Sequence, residues 1–116
     1  MAKQLNFEYK GRPYCLEYTR TTVTNMEAMG FDINELASKM MIRVPQLFEG
    51  AFMAHHSSEK PATIKAIYKA TPDKNNLILR LREMYLATYD DLLDDPAEGA
   101  EGNVTWTANW KTEDED

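Results

Sequence analysis

Alternating apolar and polar positions predict two short strands near the start of the chain. Residues 5–9 and 14–18 each repeat the period of two that is typical of half-buried strands. With Lys10 and Gly11 as a two-residue loop, Phe7 faces Tyr14, and the apolar residues of both strands share one face. A lone hairpin is only marginally stable in water. The pattern therefore predicts that this face packs on helices.

The strongest apolar pattern predicts a core helix over residues 44–56. Pro45 suits a first helical turn, because its missing N–H would have no intrahelical partner there. Gly50 in the interior costs about 1 kcal/mol relative to Ala, which favours close packing of another backbone at this point. One face should be covered by the rest of the domain; its residues are Val44, Leu47, Phe48, Ala51, Phe52 and His55.

Four further helices are predicted around this one. The first begins at Thr21 or Thr22 as N-cap and stops at Gly30. The second covers about 33–40, with Asp32 and Glu35 placed like a capping box, and 41–43 then form an extended link to Pro45. A short helix starts at Pro61 with Ile64, Ile67 and Tyr68 as its stripe, and the longest covers 72–93 with Leu77, Leu81, Met84, Tyr85, Thr88 and Leu92 on one face.

Charge divides the chain into a body and a tail. Residues 90–116 hold ten of the 19 acidic residues and one of the 13 basic ones, so they carry −9, whereas residues 1–89 carry +3. We predict one α+β domain over 1–93, a β-hairpin packed against a small, mostly helical body, and an acidic flexible tail over 94–116. Trp106 and Trp110 either tuck back onto the body through a short strand at 104–107, which the pattern favours, or are held out for a partner.

Several classes of function and location are disfavoured by composition. No run of about 18 apolar residues predicts a membrane span, and the N-terminus lacks the apolar centre of a secretory signal. Cys15 is the only cysteine, which excludes an internal disulfide and any zinc site based on cysteine, and fits a reducing cytosol. The body has no cluster of Lys and Arg, so nucleic acid is not an expected partner.

Candidate chemistry is sparse. His55 and His56 point about 100° apart on a helix and make a poor chelating pair; Glu59 is a weak third ligand. Cys15 on the polar strand face is interpreted as an ordinary thiol, and the acids from Asp90 onward as a solvated surface. We therefore expect no catalytic, cofactor or metal residues. A histidine-based enzyme remains the alternative, with metal content as its test.

The chain resembles tail assembly chaperones of long-tailed bacteriophages and prophages of Gram-positive bacteria. The resemblance rests on LNFEYKGRPYCLEYTR, VTNMEAMGF, LFEGAFMAHH and LREMYLATYDDLL, and covers about residues 3–93. It implies a protein that is not an enzyme and that binds the long tape-measure protein and helps recruit tail-tube subunits. It also implies a location in the host cytoplasm and absence from the finished virion. Self-association is a further possibility.

The expected partner contacts follow from helix-in-groove binding, in which an apolar groove shields an apolar helix stripe. They are Phe48, Phe52 and Met53 on the core helix together with Trp106 and Trp110. Seven methionines suit either core filling or an adaptable surface. The alternative function is a small acidic regulatory or inhibitory protein of phage or prophage origin that binds another protein.

Overall fold

The computed structural model describes residues 3–94 and 105–110. An antiparallel hairpin is followed by four α-helices and one short 3₁₀ turn, so the predicted α+β class is confirmed. The elements are β1 (Leu5–Tyr9), β2 (Arg12–Leu16), α1 (Arg20–Ala28), the 3₁₀ turn (Ile33–Glu35), α2 (Met40–Gly50), α3 (Pro61–Ala70) and α4 (Lys74–Leu93).

The hairpin has the register that the sequence predicts. Phe7 pairs with Tyr14 across the ladder, and their rings stack with centroids 5.3 Å apart. Lys10 and Gly11 have φ values of 51° and 78°, the left-handed values that a two-residue type I′ turn requires. Tyr14 and Leu16 are buried against the helices. The apolar face of the hairpin therefore forms one wall of the core.

Helix α1 begins slightly before its predicted start. The Thr22 N–H donates to Thr19 Oγ1 over 3.1 Å, and the Thr19 N–H donates to Thr22 Oγ1 over 2.8 Å. This reciprocal pair makes Thr19 the N-cap, rather than Thr21 or Thr22. The predicted stop is confirmed, since Gly30 follows the helix with φ 99°.

The predicted helix over 33–40 is wrong in extent. Asp32 does cap the segment, because its carboxylate accepts a hydrogen bond from the Asn34 N–H. However, only the 3₁₀ turn Ile33–Glu35 forms, and turns lead from there to Met40. Ile33 is buried, so this turn covers one end of the core.

The extended link over 41–43 is also wrong, because α2 begins at Met40 and Pro45 lies in its second turn. The Arg43 guanidinium donates to Glu35 Oε1 over 2.9 Å and 2.6 Å. These two charge-assisted bonds to one carboxylate oxygen hold the first turn of α2 against the 3₁₀ turn. Pro45 lies beyond the first turn of α2, so its ring removes the helical hydrogen bond to the Met41 carbonyl.

The core helix also ends differently from the prediction. Regular α-helix ends at Gly50. The backbone N–H groups of residues 51–53 then donate to carbonyls three residues back instead of four. The tighter winding turns the following residues about the axis. As a result His56, rather than His55, packs inward with its ring 4.9 Å from that of Tyr14. The placement of His55 in the buried stripe was therefore wrong.

Helix α2 is central, as predicted, and contacts α1, α3, α4 and the 3₁₀ turn. Its predicted stripe is otherwise buried: Val44, Leu47, Phe48, Ala51 and Phe52. Close packing at its C-terminal end comes from two sources. The Met26 side chain lies against Gly50, and the Glu17 N–H donates to the Ala51 carbonyl over 3.1 Å.

Helix α3 begins at Pro61 as predicted and buries Ile64 and Ile67. Helix α4 starts at Lys74 after Asp73, whose φ is 53°, and its 20 residues give a length of about 30 Å. Leu81, Met84 and Tyr85 are buried, as predicted. Leu92 is exposed, since the last turns of α4 extend beyond the core.

The predicted tail over 94–116 lies mostly outside the described residues. Within it, residues 105–110 form no regular element, so the strand at 104–107 does not appear in its described part. Trp106 is 80% and Trp110 68% exposed, and the favoured expectation that they tuck onto the body is wrong. The boundary of the body at residue 93 remains a prediction. Within 3–94 and 105–110, no helix has both the length and the hydropathy needed to cross a bilayer.

Candidate binding surface

An apolar groove lies between α2 and α3. Its lining comes from three residues of each helix: Pro45, Phe48 and Glu49, and Ile64, Lys65 and Tyr68. The rings of Phe48 and Tyr68 meet edge to face at 5.1 Å. The cavity volume of about 220 Å³ is below the range of about 300–1,000 Å³ that is typical of small-molecule sites. The groove is therefore better suited to side chains of a protein partner.

An apolar strip extends this groove along α2. Met41, Pro45 and Phe48 lie at intervals of four and three, which places them on one helix face. Met41 is 91% exposed, and its neighbours Met40 and Ile42 are also exposed. Apolar side chains presented to solvent at the N-terminal end of α2 are adaptable contact surface.

Charges of both signs flank the apolar lining. Glu49 stands on the α2 side of the groove and Lys65 on the α3 side. A helix with an apolar stripe between polar flanks complements this arrangement, because its charged residues can meet Glu49 or Lys65 while the stripe enters the groove. The surface is thus suited to an amphipathic helix.

The five expected contact residues differ in burial and in whether they line the groove. Phe48 is almost fully buried but contributes to the groove. Phe52 is 0% exposed, so its assignment as a contact is corrected to a core position. Met53 is partly exposed after the end of α2, and Trp106 and Trp110 are exposed. None of these last three lines the groove.

Sequence reasoning missed most of the groove. Tyr68 and Ile64 were interpreted only as a core stripe, and their partners on α2 cannot be identified without the angle between the helices. Met41 was assigned to an extended link. Its spacing to Pro45 and Phe48 was the available signal, but it carries meaning only if the helix starts before Pro45.

A second, more polar pocket of about 290 Å³ lies between the hairpin and α3. It is lined by Tyr9, Lys10, Arg12, Tyr14, Ala62, Thr63 and Ala66. The Tyr14 hydroxyl donates to Glu59 over 3.1 Å, and Arg12 lies 3.6 Å from the same carboxylate. Burial and the bond to Glu59 raise the pKa of Tyr14. The contacts of Tyr14 and Arg12 with Glu59 connect the hairpin to the segment just before α3.

Three side chains with metal-binding chemistry also meet, although the sequence did not predict it. Atoms of Cys15, Glu17 and His55 lie within 4.8 Å of one another. His55 Nε2 is 2.6 Å from Glu17 Oε1, and hydrogen bonds from His55 and Gln4 lower the pKa of Glu17. Burial, with a smaller effect of Glu17, raises the pKa of Cys15. The fold thus brings Cys15, which the sequence predicts to be an ordinary thiol outside any zinc site, next to Glu17 and His55.

Comparison with known families places the chain in one of them. Residues 1–110 match the family described as Domain of unknown function (DUF5055), and the chain belongs to that family. The match includes the hairpin, all four helices and both tryptophans. No curated protein and no solved structure matches the chain.

Proposed function

We propose that this protein binds an amphipathic helix of another protein in the groove between α2 and α3 and acts as a phage tail assembly chaperone. The observation that carries the binding proposal is the helical spacing of Met41, Pro45 and Phe48, which places the exposed Met41 on the face of α2 that lines the groove. An apolar surface of this kind covers the stripe of a partner helix that would otherwise face water.

The identity of the partner rests on the resemblance to tail assembly chaperones. In this proposal the partner is the tape-measure protein, a long and largely helical chain whose apolar stripes are exposed before the tail tube surrounds it. The chaperone keeps that chain soluble, helps recruit tail-tube subunits and leaves before the virion is complete. It therefore acts in the cytoplasm of the bacterial host.

Many weak contacts suit this task better than one tight contact. The groove is small, so one copy shields only a short part of a helix. Several copies along one tape-measure chain would cover successive stripes, and linked sites raise the overall affinity without new contacts. Each copy can still leave when tube subunits arrive.

The test is co-expression of this chain with the tape-measure protein encoded in the same phage or prophage. We expect a larger soluble fraction of that protein and co-purification of several chaperone copies per chain. Met41→Glu should abolish co-purification, because it places a charge in the strip. Leu79→Glu is the matched control, since Leu79 is an exposed apolar residue of α4 that does not line the groove.

Salt separates this proposal from the regulatory alternative. Raising salt from about 0.1 to 1 M shortens the Debye length from about 10 to 3 Å. Binding through the apolar groove should change little, whereas binding through the acidic tail should weaken strongly. A tape-measure protein that is equally soluble with and without this chain, and that never co-purifies, would reject the chaperone function. Salt-sensitive capture through residues 94–116 would support the regulatory one.

A further inference from the structure

Cys15, Glu17 and His55 meet where the chain leaves β2 and crosses the end of α2. The Cys15 Sγ, a Glu17 carboxylate oxygen and a His55 ring nitrogen all lie within 4.8 Å of one another. Glu17 and His55 are 38 positions apart in sequence. Folding alone therefore brings together one sulfur, one oxygen and one nitrogen ligand.

The backbone around this cluster is held by two hydrogen bonds. The Cys15 N–H donates to His56 Nε2 over 3.0 Å, and the Glu17 N–H donates to the Ala51 carbonyl over 3.1 Å. Cys15 and Glu17 are two residues apart in extended chain, so their side chains point to the same side. The frame that presents the three ligands is thus fixed by contacts that do not use the ligand atoms.

Glu17 is also oriented by a neighbour. Gln4 Nε2 donates to Glu17 Oε1 over 3.1 Å, and the Glu17 side chain is only 12% exposed. A hydrogen bond of this kind from outside the ligand set is common at metal sites, where it fixes the direction of a ligating carboxylate. His55 is 42% exposed, which gives an ion access from solvent.

We propose that Cys15, Glu17 and His55 form a zinc site with three protein ligands and a fourth position for water. A mixed set of thiolate, imidazole and carboxylate suits Zn²⁺ better than the hard cations Mg²⁺ and Ca²⁺, which prefer oxygen alone. A thiolate and a carboxylate also balance the two positive charges of the ion. This site is independent of the proposed function.

Only a small movement is needed for coordination. Bond lengths of about 2.0–2.3 Å place tetrahedral ligand atoms about 3.3–3.6 Å apart. The distances to Cys15 Sγ, at most 4.8 Å, must therefore shorten by up to about 1 Å, whereas His55 Nε2 and Glu17 Oε1, 2.6 Å apart, must separate by a little less than 1 Å. His55 lies in the turn that follows α2 and can supply this movement. On binding, the ion replaces the hydrogen bond between His55 and Glu17. The neutral imidazole then binds through Nε2 and carries its proton on Nδ1, and the Cys15 thiol releases its proton to water.

His56 is excluded as the nitrogen ligand through Nε2, because that atom accepts the Cys15 N–H. This distinction gives the test its sharpest variant. In His56→Gln, the amide oxygen takes the place of Nε2 and can accept a hydrogen bond from the Cys15 N–H, while the second imidazole is removed. A site built on the two adjacent histidines would lose its metal in this variant, whereas the proposed site would keep it.

Cobalt is the probe, since Co²⁺ occupies zinc sites and absorbs visibly. The full chain, freed of metal with a chelator, is titrated with Co²⁺. We expect one equivalent to bind, with tetrahedral visible bands and a thiolate-to-cobalt band in the near ultraviolet, both lost on adding Zn²⁺. Cys15→Ser should remove the thiolate band, and His55→Ala should weaken binding by at least about tenfold. His56→Gln should keep the thiolate-to-cobalt band, and Glu83→Gln, an exposed control on α4, should leave the spectrum unchanged.

Two results would overturn the site. One is a wild-type titration with no thiolate-to-cobalt band, which needs no variant to interpret. The other is cobalt binding that survives Cys15→Ser and disappears in His56→Gln. Far-UV circular dichroism of each variant in the presence of chelator checks that lost binding does not reflect lost folding.

Discussion

The side chain of Met26 occupies the space that a side chain at Gly50 would need. A Cβ atom built on Gly50 would lie 2.5 Å from Met26 Cε and closer still to Sδ. Real carbon atoms do not approach so closely without a shift of one partner. Met26 is itself buried on α1, so the absence of a side chain at Gly50 leaves room for the end of the Met26 side chain between α1 and α2.

Gly50→Ala should therefore destabilise the protein. Overpacking a core costs about 1–3 kcal/mol, and the gain in helix propensity of up to about 1 kcal/mol is small at the last residue of α2. We expect a net loss of about 0.5–2 kcal/mol in urea unfolding. In a Met26→Ala background the same change should cost less, and a higher midpoint for Gly50→Ala alone would contradict this packing.

Tyr18→Phe tests the end of α2. The buried Tyr18 hydroxyl donates to the Leu47 carbonyl over 2.5 Å. The Ala51 N–H, which would serve that carbonyl in a regular helix, bonds to Phe48 instead. Loss of the hydroxyl should cost about 1–3 kcal/mol, because it leaves a buried acceptor unpaired. Tyr9→Phe, at the rim of the hairpin pocket, is the control; equal small effects of the two changes would refute the role of Tyr18.

Glu17 should contribute to the loss of stability in acid. Hydrogen bonds from His55 and then Gln4 lower its pKa in the folded state. Glu17 therefore contributes its full stabilisation above its pKa in the unfolded state, which is about 4.3. This stabilisation is lost as the pH falls through its lower pKa in the folded state. With chelator present, Glu17→Gln should flatten the decline of melting temperature in this range. Glu83→Gln should leave the decline as steep as in wild type, and identical curves for Glu17→Gln and wild type would contradict the assignment.

The two tryptophans provide a direct test of the tail. Trp106 and Trp110 are largely exposed and are the only tryptophans of the chain. Native fluorescence should therefore show solvent-exposed emission that changes little on unfolding. Substitution of both by Ala should alter stability by less than about 0.5 kcal/mol, and truncation after Asp95 should shift the melting temperature by only a few degrees. A blue-shifted native spectrum and a steep loss on truncation would show that they dock on the body.

The register and turn of the hairpin could be predicted because their determinants are local, although β2 covers Arg12–Leu16 rather than residues 14–18. Its register follows from the period of two and from a two-residue loop ending in Gly11. The apolar stripes of α3 and α4 could also be predicted, since burial of one helix face requires apolar residues at helical spacing. These elements need no knowledge of which residues lie across the core.

The start of α2 could not be predicted from local signals. Pro45 favoured a helix beginning there, but the ion pair between Arg43 and Glu35 adds a preceding turn. The exchange of roles between His55 and His56 likewise follows from tighter winding after Gly50. Both outcomes depend on contacts that the order of apolar residues does not contain.

The candidate sites were less accessible than the fold. The groove depends on how α2 lies against α3, and Phe48 alone of the expected contacts lines it. The cluster of Cys15, Glu17 and His55 combines residues at the end of β2 with a residue of a turn that is distant in sequence. No fixed spacing along the chain predicts such a cluster. Long-range proximity, rather than residue type, was the missing information.

Pro45 has a further consequence for selectivity at the groove. Because proline has no N–H, the Met41 carbonyl four residues earlier lacks its helical donor. This places a hydrogen-bond acceptor without its helical partner among the apolar side chains of the strip. Covering it with hydrocarbon alone would cost about 1–3 kcal/mol, so a well-matched helix should carry a serine, threonine, asparagine or glutamine at the corresponding position. The absent N–H of Pro45 would thereby set the register in which the proposed partner helix binds.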